Sequence, residues 1–148
     1  MMTPKLPKSI ILLENSDIIS YHNFGLYTYN VQIIKDLMRF GRPIINTEWL
    51  GRCNHNNVQE MFPLFYILKV GCYNWGFVAG KYQTYEPYNS AWDKYENDPN
   101  FDFDFTKWYH DLYRPSLRPY DPKEIKIIKH FSNRAAREFN ESREQQDK

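Results

Sequence analysis

The segment PIINTEW, residues 43–49, decides the predicted fold because it reads as a short buried strand that ends in a carboxylate. Its β-branched residues favour a strand, and Pro43 occupies the first position, where a missing N–H is tolerated. Glu48 stands at the carboxyl end and Trp49 follows it. Because α/β folds place their active sites at strand carboxyl ends, Glu48 is a candidate nucleophile or base; a solvated strand-terminal carboxylate is the alternative.

Two further strands are predicted on either side of this segment, at residues 17–22 and 70–75. The predicted strand ends are then His22, Glu48 and Trp75, separated by 26 and 27 residues. A (β/α)8 barrel of about 250 residues allots roughly 31 residues to each unit, so this interval fits that architecture. A doubly wound sheet fits nearly as well. Polar or aromatic groups at every strand end favour the barrel, and the absence of a G-x-G-x-x-G or P-loop sequence argues against nucleotide binding.

Helices are predicted between and after these strands. One begins with Asn30 as its cap and stops before Gly41. The next opens with a capping box formed by Asn57 and Glu60. A last helix opens at residues 121–124, which supply an N-cap, a first-turn proline and a third-position glutamate in order. The predicted class is therefore α/β with parallel strands.

Residues 76–120 lack a sustained period and are predicted to form a long aromatic loop packed over the rest of the domain. The chain contains twelve Tyr, ten Phe and four Trp, which is 18% of its 148 residues and more than a small core requires. Three loop carboxylates, Asp102, Asp104 and Asp111, are expected to be solvated. Residues 140–148 are predicted to be a tail too polar to pack.

The composition excludes several classes of partner. The formal net charge is +1, which lacks the basic excess of a nucleic-acid binder. No apolar run approaches the ~20 residues of a membrane span, and residues 10–13 are too few for a signal-peptide core of about 7–15 residues. Cys53 and Cys72 are expected to be free thiols outside any zinc motif, so neither a metal nor a cofactor is predicted.

Two strand-end residues have structural alternatives to a role in binding. His22 alone is more typical of a hydrogen-bonded structural histidine. Trp75 could belong to the core, although a Trp leading into a loop suits a stacking platform for a flat ligand. Their shared position at strand ends with Glu48 makes them a candidate site.

Several motifs together resemble the C-terminal part of a family 5-like glycoside hydrolase, within the clan of retaining (β/α)8-barrel enzymes that includes cellulases, mannanases and xylanases. The resemblance extends over about residues 15–132, and its most specific parts are the segments containing Glu48 and Trp75. It implies that the three strands are the sixth, seventh and eighth of a barrel, within a domain spanning residues 1–139. The motifs are TEWL (47–50), FPLF (62–65), KVGCYNWG (69–76), GKYQT (80–84), WYHDLYR (108–114) and PYDP (119–122).

The resemblance also implies roles for individual residues. Glu48 matches the nucleophile, and Trp75 matches the aromatic floor beneath the attacked sugar. The sugar or the nucleophile would be contacted by further residues: Tyr21, His22, Trp49, Gln83 and Thr84. The expected activity is hydrolysis of β-linked poly- or oligosaccharides with retention of configuration, which needs one attacking carboxylate and one acid.

The sequence departs from the family at the acid/base residue, which in this clan follows an asparagine at the end of the fourth strand. No Asn-Glu pair stands at a predicted strand end here. The chain is therefore expected to be a fragment of a longer enzyme, with the missing N-terminal half of the barrel as a partner and little hydrolysis of its own. The resemblance suggests a secreted parent enzyme, although this chain has no signal peptide. The alternatives are a non-catalytic carbohydrate-binding remnant and an aromatic-rich protein-interaction module.

Overall fold

A computed structural model describes residues 7–146 of the chain and has a mixed α/β architecture. None of the helices between residues 7 and 146 combines the length and the apolar character needed to cross a membrane. The elements in chain order are α1 (Pro7–Asn15), β1 (Ile19–His22), α2 (Tyr27–Met38), β2 (Ile44–Glu48), a 3-10 helix (Arg52–Asn54), α3 (Val58–Ile67), β3 (Gly71–Cys72), α4 (Asn89–Asn97) and α5 (Pro122–Gln146).

The three strands form one parallel sheet in the order β1-β2-β3, as predicted. In the register, Tyr21 pairs with Asn46 and His22 pairs with Glu48, with an irregularity between the two pairs. β3 is shorter than the predicted strand at residues 70–75 because its regular pairing with β2 ends at Cys72 and the chain then turns at Trp75. The Asn74 side chain donates a hydrogen bond to the Gly76 carbonyl in that turn.

One face of the sheet carries the core. Ile19 and Ile44 are buried on this face, in one cluster with Ile34 of α2 and with Met61 and Phe65 of α3. Side chains alternate across a strand, so their neighbours point to the opposite face. On that face Ser20 and Thr47 are exposed and Ile45 is half-buried. The helices therefore cover one side of the sheet in the described part of the chain.

The start of α2 differs from the prediction. The helix begins at Tyr27, and Asn30 is buried inside it rather than capping it. The Asn30 amide donates to the carbonyls of Gly25 and Leu26, at 2.9 and 3.2 Å, so it satisfies the chain that enters the helix. The predicted stop is confirmed, because Gly41 has a φ of +61°, which favours glycine.

The N-cap of α3 at Asn57 is confirmed, but the Glu60 side chain bonds to the Asn57 side chain rather than to its backbone N–H. Asn57 Oδ1 accepts a hydrogen bond from the Glu60 backbone N–H at 3.0 Å. The Asn57 amide also donates to the Glu60 carboxylate at 2.8 Å. These bonds satisfy a backbone donor that the first turn of a helix leaves free, and they fix the start of the helix that packs beneath the sheet.

At the start of α5 the cap is as predicted but the glutamate has a different role. Asp121 Oδ1 accepts from the Lys123 N–H at 2.8 Å. Glu124 turns into the interior, 3% exposed, and pairs with Arg52 through two bonds of 2.9 and 2.6 Å. The helix continues to Gln146, so the predicted tail is helical as far as that residue. Its side chains are exposed there, and residues 147–148 lie outside the described residues.

The loop at 76–120 packs onto the domain as predicted, with residues 109–112 buried. It also contains α4, which the sequence did not predict. The helix has no buried residue, and its packing is local, with Trp92 and Phe105 ring centroids 4.2 Å apart. Helix α1 was likewise not predicted.

Candidate functional site

The carboxyl ends of the three strands meet at one edge of the sheet, as the strand spacing predicted. Beyond the pair of His22 with Glu48, the Asn23 N–H donates to the Glu48 carbonyl at 3.1 Å. On the other side, the Trp75 N–H donates to the Trp49 carbonyl at 3.0 Å. Backbone pairing therefore holds His22 beside Glu48, and Trp75 beside Trp49, the residue that follows Glu48.

The Glu48 carboxylate is half-buried and has no hydrogen bond or ion pair to another side chain in the described part of the chain. Its backbone is fixed instead, because the Glu48 N–H donates to Asn46 Oδ1 at 3.1 Å. The charge of Glu48 also affects the pKa of Tyr88, a residue of the aromatic loop. Burial raises the pKa of Tyr88, and the negative charge of Glu48 raises it further. Glu48 therefore combines a positioned backbone with a carboxylate that has no side-chain partner in the described part of the chain.

Trp75 forms one wall of an open cavity of about 480 Å³, a size within the usual range of roughly 300–1,000 Å³ for small-molecule sites. The Trp75 residue is 42% exposed. The cavity is mostly apolar and is called the Trp75 cavity below. Its lining residues are Trp75, Gly76, Phe77, Val78, Gly80, Tyr82, Thr84 and Asp111.

Gln83 and Thr84, the predicted sugar-binding residues of the loop, both lie close to Trp75. They line a second cavity of about 600 Å³ that shares Trp75 with the first and also contacts Tyr88 and His110. Gln83 is exposed and has a positive φ of 54°. The Thr84 hydroxyl donates to Asp111 Oδ2 at 2.7 Å. The structure thus brings these two residues to the Trp75 side of the sheet edge.

The remaining candidates are placed differently from one another. His22 is exposed at the sheet edge. Tyr21 is half-buried, and burial raises its pKa to about 12, partly offset by the Asn46 side chain. Trp49 is 1% exposed and packs edge-on against Phe65, with ring centroids 5.2 Å apart. Trp49 is therefore a core residue, and its ring does not reach a surface where a substrate would bind.

The sequence did not single out Tyr88 and His110, which connect the loop to the sheet edge. His110 is 1% exposed, and its Nδ1 lies 2.6 Å from the carbonyl of Leu50, two residues beyond Glu48. Its Nε2 lies 3.1 Å from the Tyr88 hydroxyl. Burial lowers the pKa of His110, and the Leu50 carbonyl partly offsets this. The available signal was a histidine that follows two aromatic residues and precedes an aspartate in the motif WYHD.

Asp111 contradicts the expectation of a solvated loop carboxylate, whereas Asp102 and Asp104 are exposed as expected. Asp111 is 1% exposed, and its Oδ1 has no hydrogen-bond partner within residues 7–146. Gly76 permits this arrangement. It has a φ of +81°, and a Cβ there would lie 2.9 Å from both Asp111 Oδ1 and His110 Cβ. The carboxyl group is held against the turn that carries Trp75.

The arrangement at this edge can supply an attacking or proton-accepting carboxylate, an aromatic surface and hydrogen-bond acceptors. Cys53 and Cys72 are free thiols. Between residues 7 and 146, no group of three or more His, Cys, Asp or Glu side chains is arranged to hold a metal ion. Comparison of the chain with protein-family models, with curated proteins and with solved structures gave no match.

Proposed function

We propose that this chain carries the nucleophile and an aromatic sugar platform of a retaining glycoside hydrolase that acts on β-linked saccharides. The sheet would correspond to the last three βα units of a (β/α)8 barrel. The observation that carries the proposal is the position of Glu48 at the end of the middle strand, next to Trp75 at the same edge.

The absence of an ion pair to the Glu48 carboxylate among the described residues supports a nucleophilic role. A retaining enzyme forms a covalent bond between a carboxylate oxygen and the anomeric carbon, so the carboxylate needs lone pairs that are not committed to a salt bridge. Glu48 meets this requirement among the described residues. Trp75 complements it, because the apolar C–H face of a sugar ring stacks on an exposed indole.

The unpaired outer sides of the sheet support the proposal that the remaining strands of a barrel are the partner of this chain. Within residues 7–146, β1 and β3 each pair on one side only, so their outer backbone groups are free to pair with further strands. The exposed side chains of Ser20 and Thr47 would then face the barrel interior. A second carboxyl group about 5–5.5 Å from Glu48, the acid of the reaction, would come from that partner.

Covalent labelling tests Glu48 without requiring the acid. A 2-deoxy-2-fluoro glycoside with a dinitrophenolate leaving group departs without protonation, so the label depends on the nucleophile alone. Gluco-, manno- and xylo-configured reagents are each incubated with the chain, and the peptides are mapped by mass spectrometry. We expect the label on Glu48, its loss in Glu48→Gln, and its retention in the matched exposed-carboxylate control Asp102→Asn. A reproducible label on another carboxylate would overturn the assignment.

Sugar binding without hydrolysis is the second candidate, and one observation favours it. The residues that line the two cavities beside Trp75 do not include Glu48. A sugar could therefore bind there without contacting the carboxylate. Saccharide binding that is weakened by Trp75→Ala and unchanged by Glu48→Gln, with no label on Glu48, would select this function over hydrolysis.

A further inference from the structure

The second cavity, of about 600 Å³, has two hydroxyl groups in its lining whose protons are directed to buried side chains. These hydroxyls belong to Thr84 and Tyr88, and the cavity is called the Tyr88 cavity below. The Thr84 hydroxyl donates to Asp111 Oδ2 at 2.7 Å. A hydroxyl group has one proton to donate, so the Thr84 oxygen can only accept a hydrogen bond from a ligand.

The Tyr88 hydroxyl is constrained in the same way because the tautomer of His110 is fixed. His110 is 1% exposed, and its Nδ1 lies 2.6 Å from the Leu50 carbonyl, which can only accept. Nδ1 therefore carries a proton. Burial lowers the pKa of His110, so the ring is neutral near pH 7 and Nε2 has a lone pair. The Tyr88 hydroxyl, 3.1 Å from Nε2, donates its proton there, and its oxygen can only accept from a ligand.

The charges around the Tyr88 cavity are negative. Glu86 is the charged residue of the lining, which within residues 7–146 contains neither Lys nor Arg. One Glu86 oxygen lies 3.5 Å from the Gln83 amide, and the carboxylate keeps further acceptor sites for a ligand. Burial and, after it, the negative charge of Glu48 raise the pKa of the Tyr88 hydroxyl, because both disfavour a further negative charge at this wall.

The rest of the lining offers further contacts to a cation. Tyr82 is 95% exposed, and its aromatic ring attracts a cation placed over its face. Asn89 and Ser90 are exposed at the start of α4, and each can either donate or accept a hydrogen bond. A cation therefore finds aromatic and polar partners in this cavity, whereas an anion finds no opposite charge in the described lining.

We infer that the Tyr88 cavity is a binding site for a primary ammonium group of a small molecule, with the oxygens of Thr84, Glu86 and Tyr88 as its acceptors. An ammonium group carries three N–H donors, one positive charge and no acceptor, which matches these oxygens and the negative charge. The inference goes beyond the proposed function and does not depend on it, because it requires neither attack by Glu48 nor stacking of a sugar on Trp75.

The test measures binding to the full isotope-labelled chain by nuclear magnetic resonance titration. The first probe pair is n-butylammonium and butan-1-ol, which have similar length and differ in charge. The second pair is the β-1,4-linked tetramer of glucosamine, with its amines protonated, and cellotetraose. In at least one pair we expect the ammonium to bind about tenfold tighter at low salt, with a smaller ratio at high salt.

The two probe pairs distinguish the possible carriers of the ammonium group. A preference in the first pair alone assigns an alkylammonium ligand, and a preference in the second pair alone assigns an amino sugar. Equal binding within both pairs would overturn the inference. That result would leave the proposed function standing, since covalent labelling of Glu48 tests the latter separately.

Variants assign the preference to the cavity. Glu86→Gln keeps the shape and removes the charge, whereas Tyr88→Phe keeps the ring and removes the acceptor oxygen. Each should reduce the preference to about threefold or less, since one charge-assisted contact is lost. Glu96→Gln removes an exposed carboxylate of α4 outside the lining and should leave the preference unchanged. An unchanged preference in folded Glu86→Gln and Tyr88→Phe would overturn the assignment.

The tautomer of His110 provides a test that needs no ligand. Long-range proton–nitrogen correlation spectra of the imidazole distinguish a proton on Nδ1 from one on Nε2, and we expect it on Nδ1 at neutral pH. A proton on Nε2 would be donated to Tyr88, whose own proton would then be free for the cavity, and this result would overturn the inference. If Tyr88→Phe fails to fold, this spectrum and Glu86→Gln, a change at an exposed residue, decide.

Discussion

Two carboxylates are buried in this molecule to nearly the same extent, and they are partnered very differently. Glu124 is 3% exposed and Asp111 is 1% exposed. Both oxygens of Glu124 bond to Arg52, whose guanidinium also donates to the His110 carbonyl at 2.9 Å and lies 4.5 Å from the centre of the Tyr120 ring. Asp111 has one bond, from the Thr84 hydroxyl.

The difference separates a carboxylate that is fully paired within the fold from one that is paired at a single oxygen. Arg52 and Glu124 are 72 positions apart, and their pair joins the 3-10 helix after β2 to the first turn of α5. Each carboxylate oxygen of Glu124 accepts one hydrogen bond within the fold. Asp111 has one oxygen, Oδ1, that is buried and has no hydrogen-bond partner among the described residues. Burial of an acid is therefore not by itself a sign of function; the number of partners it has inside the fold distinguishes the two cases.

The largest expected effect comes from removing one member of the paired region. Arg52→Met leaves Glu124 buried without a counter-charge, which should lower the free energy of unfolding by about 3–5 kcal/mol. Urea denaturation followed by circular dichroism measures the change. The control Arg42→Met removes an exposed pair with Asp17 and should have no measurable effect. The double variant Arg52→Met with Glu124→Leu should regain most of the loss. A loss no larger than that of the control would remove the distinction between the two carboxylates.

A smaller effect is expected on the Asp111 side. Thr84→Val has nearly the same shape but leaves Asp111 without its one hydrogen bond, so the free energy of unfolding should fall by about 1–3 kcal/mol. Thr84→Ser keeps the hydroxyl and serves as the matched control, with most of the stability retained. The same urea titration measures both variants. Equal losses in the two variants would mean that the methyl group of Thr84, rather than its bond to Asp111, matters for stability.

The smallest effect concerns His110, which lies between the two regions. Burial lowers its pKa in the folded chain, so below about pH 6.5, the ordinary value, the unfolded chain binds more protons at this residue. This contribution to stability is present above the ordinary pKa and is lost as the pH falls through it. Urea midpoints at pH 7.5 and 5.5 should show a smaller decrease in His110→Asn than in the unmodified chain. His22→Gln, at an exposed histidine, should leave the decrease unchanged; an identical decrease in His110→Asn would contradict the prediction.

The sequence was sufficient for features that depend on neighbouring residues. The cap formed by Asn57 and Glu60, the stop at Gly41 and the parallel strands ending at one edge all follow from local period and spacing. The inward turn of Glu124 could not be predicted, since its partner Arg52 is far away in the chain and a third-position glutamate is typical of a capping box.

For the candidate site, too, the features set by local patterns could be predicted and those set by distant residues could not. The edge that gathers His22, Glu48 and Trp75 follows from strand order. The burial of Asp111 depends on Thr84, 27 positions earlier, and on the turn at Gly76, so no local pattern distinguishes it from the exposed Asp102. Helix α4 was not predicted; it has no buried residue, and its rings Trp92 and Tyr95 pack on the nearby loop residue Phe105.

The tight contact of Gly76 with Asp111 and His110 has a consequence for how this surface can diversify. The floor of the Trp75 cavity cannot gain a side chain at residue 76, because the first carbon would already collide with the carboxyl oxygen and with the histidine. Phe77 and Tyr82 form the rim of the cavity. They are 65% and 95% exposed, so larger or smaller side chains fit at these positions without a collision. Substitutions can therefore change the shape and chemistry of the rim, while the floor at residue 76 stays without a side chain.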